Sequence, residues 1–215
     1  LVSMDLINKR ILVVCREVDS LPYYFLIKKW MKNNTVAVYF IKASETKFRK
    51  NISNDISYYA FKEISGLKVY DVNKIADLFT ASLKEDKILD PAYIEMLERE
   101  YTHFNTLNAQ IMSSQSFIRH YHFRYFWKLC TYTQQLNWLI LSYKDAISVM
   151  DDFKPDIVIN TDSDEIGRCA LREYCYKITI PNITIDFPRY EVYKIFTYSL
   201  GARIEDNFKY YYQRM

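Results

Sequence analysis

Short runs of aliphatic residues alternate with stretches of helical periodicity in the first part of the chain. The run RILVVC, Arg10 to Cys15, has no polar interruption after its first residue, which is typical of a strand buried on both faces. Asp19 or Ser20 can cap the helix that follows, and Pro22 suits its first turn. The run TVAVYFIKA, Thr35 to Ala43, predicts a second strand. The chain therefore opens with a β-α-β unit.

The pattern becomes predominantly helical in the middle of the chain. A polar loop at 44–55 precedes a weaker third strand, LKVYDV, at 67–72, and a helix is predicted over 73–84. From 91 to 153, apolar residues recur at helical spacing with few turn signals, which predicts two or three long helices. A break between these helices is expected near 105–114.

The last quarter returns to strands that alternate with a helix. DIVINT predicts a strand, residues 165–177 a helix and NITID another strand, and a closing helix is expected to begin near Glu191. This order predicts an α/β protein: a Rossmann-like open parallel sheet with helices on both faces and a long helical insertion. We divide the single domain into a first βαβ part at 1–90, a helical segment at 91–153 and a closing βαβ part with a C-terminal helix at 154–215.

The composition narrows the range of functions. With 3 Gly in 215 residues, no glycine-rich phosphate-binding loop is present, and no cofactor is predicted. The 20 Tyr and 13 Phe are explained by core packing, with stacking platforms for sugars or bases as the alternative. The net charge of +3 is spread along the chain, so a nucleic-acid partner is not expected. Peripheral association with an acidic membrane surface is compatible with this charge.

The four cysteines and the apolar runs bear on the compartment. Cys15, Cys130, Cys169 and Cys175 form no C-x-x-C pair, and three of them lie in apolar runs, which favours packed thiols in the cytoplasm over a zinc site or disulfides. No apolar run approaches the roughly 20 residues needed to span a bilayer. The expected location is the cytoplasm, including the inner face of the cell membrane.

Ligands of parallel sheets bind at the carboxyl ends of the strands, which identifies candidate site residues before any motif does. The candidates that follow the predicted strands are Arg16, Glu17, Asp19, Lys42, Ser44, Thr161 to Glu165, Asp186 and Arg189.

The acidic pair Asp162 and Asp164 has three interpretations. It can cap the helix that follows, contact a ligand from a loop, or hold a divalent cation whose remaining ligands are water and phosphate. The segment NTDSDEIGR also resembles the acidic motif of Toprim domains. However, the first strand here ends in Cys15 rather than the catalytic glutamate of that family, and Glu165 is one position early for the third acid. The resemblance to Toprim domains therefore fails where the chemistry would be done, and we assign no metal ligands.

The segment KPDIVINTDSDEIGRCALREYCYKITIPNITID, 154–186, resembles bacterial GT-B glycosyltransferases of capsule and surface-polysaccharide synthesis. Lys154-Pro155-Asp156, Arg168 and Ile180-Pro181 match a segment common in these enzymes, and the opening strand and helix look similar too. GT-B enzymes have two Rossmann-like halves. The resemblance implies that this chain is the N-terminal, acceptor-binding half, that a second domain binds the nucleotide-sugar donor, and that the chain alone does not turn over.

The resemblance also implies roles for the candidate residues. An inverting transferase needs a general base near the acceptor hydroxyl, and Asp162, Asp164, Glu17 and Asp19 are the candidates. The acceptor is a glycan or a lipid-linked glycan, and an arginine can bind its phosphate or carboxylate through a bidentate fork. The candidate acceptor-binding residues are Arg16, Arg119, His120, Thr161, Asp186 and Arg189.

Two other classes of function remain open. One is a non-catalytic Rossmann-like module that binds a partner protein or a nucleotide. The other is a metal-dependent phosphotransfer domain that uses Asp162 and Asp164. The transferase hypothesis predicts that the gene continues beyond Met215 into a second Rossmann-like domain, the binding module predicts an exposed apolar patch, and the phosphotransfer domain predicts stabilisation by a divalent metal.

Overall fold

The computed structural model describes residues 6–16, 20–41, 59–71, 78, 87–101, 107, 131–160, 166–186 and 195–197. Within these residues, six strands form one sheet in the order β3-β2-β1-β4-β5-β6. The strands are β1 (Arg10–Arg16), β2 (Thr35–Ile41), β3 (Lys68–Asp71), β4 (Ile157–Asn160), β5 (Asn182–Asp186) and β6 (Ile195–Thr197).

β1 lies in the centre of the sheet and is buried on both faces. It pairs in parallel with β2 on one side and with β4 on the other, so that Ile11 lies opposite both Val36 and Ile157. Its side chains alternate between two apolar layers: Val13 belongs to one core and Val14 to the other. An uninterrupted aliphatic run suits this position because neither face of a central parallel strand contacts water.

The first five strands are parallel, as predicted for a Rossmann-like α/β fold, and β6 is an antiparallel edge strand. The closing helix expected from Glu191 is wrong at residues 195–197, which form β6. Ile185 pairs with Phe196 in this strand pair. β-branched and aromatic residues are common in strands. β6 pairs with the outer edge of β5, and the local sequence cannot reveal that this partner is available.

Of the helices with described bounds, the first lies on one face of the sheet and the other three lie on the opposite face. The longest helix begins with a capping box, in which the Thr131 side chain accepts the Gln134 N–H and the Gln134 side chain accepts the Thr131 N–H. It ends at Lys154, whose left-handed backbone (φ 51°) allows the chain to turn into β4. The helices with bounds in the described part of the chain are α1 (Ser20–Trp30), α2 (Pro91–Tyr101), α3 (Tyr132–Phe153) and α4 (Ile166–Lys177).

Two apolar cores result, one on each side of the sheet. α1 contributes Tyr23 and Ile27 to the first, where Phe61 from a helical turn at 59–62 packs against Phe40 with ring centroids 5.8 Å apart. The second core contains residues of α2, α3 and α4 together with Val158 of β4. The helical segment therefore packs on the same sheet that the flanking βαβ parts build.

Three predicted features lie outside the described residues: the polar loop at 44–55, the helix at 73–84, of which only residue 78 is described, and the break near 105–114, of which only residue 107 is described. In the part of the chain that is described, no helix has the length and apolar character needed to cross a membrane.

Candidate functional site

The topology creates a switch point between β1 and β4. The chain leaves β1 towards β2 on one side of the sheet and leaves β4 towards β5 on the other. Connections that diverge in this way leave a crevice at the carboxyl ends of the two strands, and ligands of open α/β sheets bind there. β1 ends at Arg16 and β4 ends at Asn160, so these two positions border the candidate site.

Four of the five parallel strands end in a polar or charged residue. The final residues, in the spatial order from β3 to β5, are Asp71, Ile41, Arg16, Asn160 and Asp186. Two predicted site residues, Arg16 and Asp186, are thus placed at the same edge of the sheet. β4 lies between their strands.

The other predicted site residues lie outside the described residues, and their roles stay predictions. They are the candidate bases Glu17, Asp19, Asp162 and Asp164, and the candidate acceptor contacts Arg119, His120, Thr161 and Arg189. Lys42, Ser44 and Glu165 lie outside as well.

A buried polar pair lies beside the switch point and was not predicted. Asn160 of β4 is opposite Thr184 of β5, and these residues are only 1% and 2% exposed. An amide and a hydroxyl both donate and accept hydrogen bonds, so they can orient polar groups, but neither is a general base at neutral pH. A sequence signal existed, because Asn160 interrupts an aliphatic run at the point where a strand ends.

Cys15 lies next to the last residue of β1, at the same carboxyl edge, and belongs to the core on the side of the sheet that α1 covers. It is fully buried and packs in the core that contains Ile11 and Val13. The position next to the end of β1 therefore supplies a thiol rather than a carboxylate. The described residues contain no group of three or more His, Cys, Asp and Glu that could hold a metal ion.

Side-chain hydrogen bonds link the long helix α3 to the sheet and to the segment that precedes α2. The hydroxyl of buried Tyr39, in β2, donates to the Asp145 carboxylate at 2.6 Å. The Asn137 amide is fully buried; it accepts the Leu89 N–H at 2.8 Å and donates to the Lys87 carbonyl at 3.0 Å. The Asn137 amide thereby pairs two backbone groups of the segment before α2 with the interior of α3.

The motif Lys154-Pro155-Asp156 forms a joint at the amino edge, opposite the candidate site. The Asp156 carboxylate accepts the Arg10 backbone N–H at 2.7 Å, and the Asp156 N–H donates to the Arg10 carbonyl at 2.8 Å. The Arg10 Nε donates to the Phe153 carbonyl at 2.9 Å, and its guanidinium lies 4.8 Å from the centre of the Phe153 ring. The motif therefore aligns the starts of β1 and β4.

The second matching motif, Ile180-Pro181, also lies at the amino edge. The Val158 N–H donates to the Pro181 carbonyl at 2.9 Å, and the Ile180 N–H donates to the Cys175 carbonyl at 2.9 Å. A cavity of about 410 Å³ adjoins this turn; Cys175 and Asn182 are among its lining residues. The motif joins α4 to β5 and contributes no group to the carboxyl edge.

The lowered carboxylate pKa values of the described residues belong to ion pairs between structural elements. A hydrogen bond from Lys144 lowers the pKa of Asp90, one from Lys177 lowers the pKa of Glu100, and one from Lys68 lowers the pKa of Asp152. Burial raises the pKa of Tyr93 to about 12. Each of these ion pairs joins two elements: Glu100 of α2 with α4, Asp152 of α3 with β3, and Asp90, which precedes α2, with α3.

The parallel sheet and its switch point define an α/β protein with a Rossmann-like fold. Its sequence matches no protein-family model and no curated protein.

Proposed function

We propose that the chain is the acceptor-binding N-terminal domain of a GT-B glycosyltransferase that builds a bacterial surface polysaccharide from nucleotide-sugar donors. The observation that carries the proposal is the switch point between β1 and β4, together with the joint at Asp156 that leads into β4. The acceptor, a glycan or a lipid-linked glycan, would bind in the crevice at the carboxyl ends of these strands.

The proposed chemistry is the attack of an acceptor hydroxyl on the anomeric carbon of the donor sugar. A carboxylate takes the hydroxyl proton as the new glycosidic bond forms, and the nucleoside diphosphate leaves with the bonding electrons. We assign the base to one of Asp162, Asp164, Glu17 and Asp19. The donor would be bound by a second domain, so the isolated chain is expected to bind an acceptor without turning over.

The acceptor contacts are assigned by position and chemical type. Arg16 ends β1 and Asp186 ends β5. The strand between them, β4, ends at Asn160, whose register partner on β5 is Thr184. A phosphate or carboxylate on the acceptor suits a bidentate arginine. Arg119, His120, Thr161 and Arg189 complete the proposed acceptor-binding set.

A second candidate is a non-catalytic Rossmann-like module that binds a nucleotide or a partner protein. It is favoured by the described residues beside the switch point, since Asn160 and Thr184 are neutral polar groups and neither is a general base at neutral pH. A third candidate, metal-dependent phosphotransfer, relies on Asp162 and Asp164.

The test measures binding of oligosaccharides from bacterial surface polysaccharides to the chain by saturation-transfer NMR, with Asp162→Asn, Asp164→Asn and the control Glu95→Gln, an exposed carboxylate on α2. A hydrogen bond to a charged group contributes about 1.5–3 kcal/mol, so loss of a contacting carboxylate should weaken binding roughly tenfold to a hundredfold. The control should bind normally.

The other candidates give different results in parallel assays. Binding of nucleotides or nucleotide sugars without any oligosaccharide binding supports the module. A melting temperature that Mg²⁺ or Mn²⁺ raises, and that Asp162→Asn returns to the metal-free value, supports phosphotransfer. Either result removes the acceptor-domain proposal.

A further inference from the structure

The outer face of α1 carries a continuous line of exposed side chains. Phe25, Lys28, Lys29 and, in the turn after the helix, Lys32 are spaced at i, i+3, i+4 and i+7, which places them on one side of the helix. Phe25 is 64% exposed even though it is a large apolar residue. The opposite side of α1 is fixed in the core through Tyr23 and Ile27.

A second exposed aromatic residue lies on the neighbouring element. Tyr59 begins the helical turn at 59–62 and is exposed, while Phe61 of the same turn packs against Tyr24 of α1 with ring centroids 6.0 Å apart. Tyr24 also contacts Phe25 edge-to-face at 5.6 Å. The two elements therefore pack against each other, and each carries one exposed aromatic residue, Phe25 on α1 and Tyr59 on the turn.

The charge of this surface has a single sign along α1. Between Ser20 and Asn34 the chain has three lysines and no Asp or Glu. Lys62 and Glu63 on the adjacent turn balance each other. The Lys28 ammonium lies 5.3 Å from the centre of the Tyr24 ring, and the side chain as a whole is exposed.

We propose that this surface, Phe25, Lys28, Lys29, Lys32 and Tyr59, binds the anionic surface of a lipid bilayer. The aromatic side chains would enter the boundary between headgroups and acyl chains, and the lysines would contact lipid phosphates. The charged residues on α1 are lysines without any arginine, and a lysine ammonium is a point charge that needs no fixed partner geometry. A fluid layer of headgroups meets that requirement better than a nucleic acid read through bidentate contacts.

The position of α1 relates this surface to the carboxyl edge. α1 follows β1, so its first residues lie near the carboxyl edge and its last residues lead into the turn before β2 at the amino edge. A bilayer against α1 would lie alongside the sheet and leave the carboxyl edge open beside the membrane. The membrane proposal does not depend on glycosyl transfer, and the two have separate tests.

The experiment is co-sedimentation of the full chain with vesicles of phosphatidylcholine, with and without phosphatidylglycerol. We expect binding only to the anionic vesicles, and weaker binding as salt is raised. Each lysine near an anionic surface contributes about fivefold in affinity, so the triple variant K28Q/K29Q/K32Q should bind roughly a hundredfold more weakly. No vesicle binding by the wild-type chain overturns the proposal.

Matched variants distinguish this surface from general attraction. Phe25→Ala should weaken binding severalfold, whereas Tyr132→Ala, which removes a 60% exposed aromatic residue from α3, should bind like the wild type. Lys154→Gln removes an exposed lysine outside the surface and is the control for Lys29→Gln. Equal loss in the controls, or binding of the chain to single-stranded RNA rather than to vesicles, would overturn the proposal. Unchanged circular dichroism spectra establish that every variant is folded.

Discussion

The carboxylate of Asp156 accepts a hydrogen bond from the backbone N–H of Arg10 at 2.7 Å across 146 positions of sequence. The contact joins the first residue of β1 to the residue before β4, and the Asp156 N–H returns a bond to the Arg10 carbonyl. Because β1 and β4 border the switch point, this joint at the amino edge sets the relative register of the two strands whose carboxyl ends form the candidate site.

Replacement of Asp156 by Ala should destabilise the protein. The substitution leaves the Arg10 N–H without its acceptor, and a net loss of about 1–2 kcal/mol is expected for such a bond near the surface. Asp156→Asn retains a carbonyl oxygen at the same place and should lose less. Urea denaturation measures the free energy of unfolding; equal stability of the wild type and Asp156→Ala would show that the joint contributes nothing.

The central strands were predictable because a strand buried on both faces consists of an uninterrupted run of aliphatic residues. Uninterrupted aliphatic runs identified β1 and β2. The observed β1 extends one residue beyond the predicted run, to Arg16, and the observed β2 covers Thr35–Ile41 of the predicted run, whose last two positions lie outside the described residues. β6 was missed because its pairing partner, β5, is supplied by the tertiary structure. A three-residue strand has too little pattern of its own to compete with a helical neighbourhood.

Two buried polar residues on α3 should differ in how apolar replacement changes the stability of the protein. Asn137→Leu removes the acceptor of the Leu89 N–H and the donor to the Lys87 carbonyl, so it should cost about 2–4 kcal/mol. The Ser142 hydroxyl is buried and finds no hydrogen-bond partner among the described residues. Ser142→Ala removes that polar atom and should leave the stability unchanged or slightly higher.

The comparison is made by urea denaturation of both variants on the same wild-type background. Because both residues lie on one helix and are buried, Ser142→Ala controls for general sensitivity of α3. Similar destabilisation by the two substitutions would contradict the assigned role of the Asn137 amide.

The ion pair between Asp90 and Lys144 predicts loss of stability in acid. The Asp90 carboxylate contacts the Lys144 ammonium at 2.9 Å and accepts the Tyr93 N–H at 3.1 Å, at the start of α2. Both bonds hold the pKa of Asp90 below its ordinary 3.8 in the folded state. This stabilisation is present above pH 3.8 and is lost as the pH falls through the lower folded pKa.

Asp90→Asn should therefore flatten the fall in stability below the ordinary aspartate pKa, while its amide oxygen still caps α2. The fall will not vanish, because Glu100 and Asp152 also have lowered pKa values. Lys144→Gln removes the main cause of the shift and should flatten the fall in the same way. An acid profile identical to that of the wild type in both variants would show that this pair is not linked to folding.

The candidate site was less predictable than the fold because binding groups are defined by proximity in space. The rule for parallel sheets correctly placed Arg16 and Asp186 at one edge. Asn160 and Thr184 were missed because each reads locally as part of a strand, and only the pairing of β4 with β5 brings them together. The motifs of the resemblance, in contrast, are explained by hydrogen bonds of the scaffold at the opposite edge.

Cys175 should be nearly inert in the folded protein. Its side chain is buried in α4, and loss of hydration raises the pKa of the thiol from 9.0 to about 12, so very little thiolate forms at neutral pH. Iodoacetamide reacts with the thiolate, so the peptide containing Cys175 should be alkylated orders of magnitude more slowly than the same peptide in urea. Peptide mass spectrometry follows both rates.

The raised pKa of Cys175 also predicts how the stability of the protein changes at alkaline pH. The folded pKa lies above the unfolded value, so the stabilisation linked to this thiol is complete below pH 9.0 and is lost as the pH rises towards about 12. Cys175→Ala should remove that part of the alkaline loss while it lowers the neutral-pH stability by leaving a small cavity. Native alkylation as fast as in urea would mean that the C-terminal turn of α4 opens readily. The buried position of Cys175 in the core would then not be the dominant state of this turn.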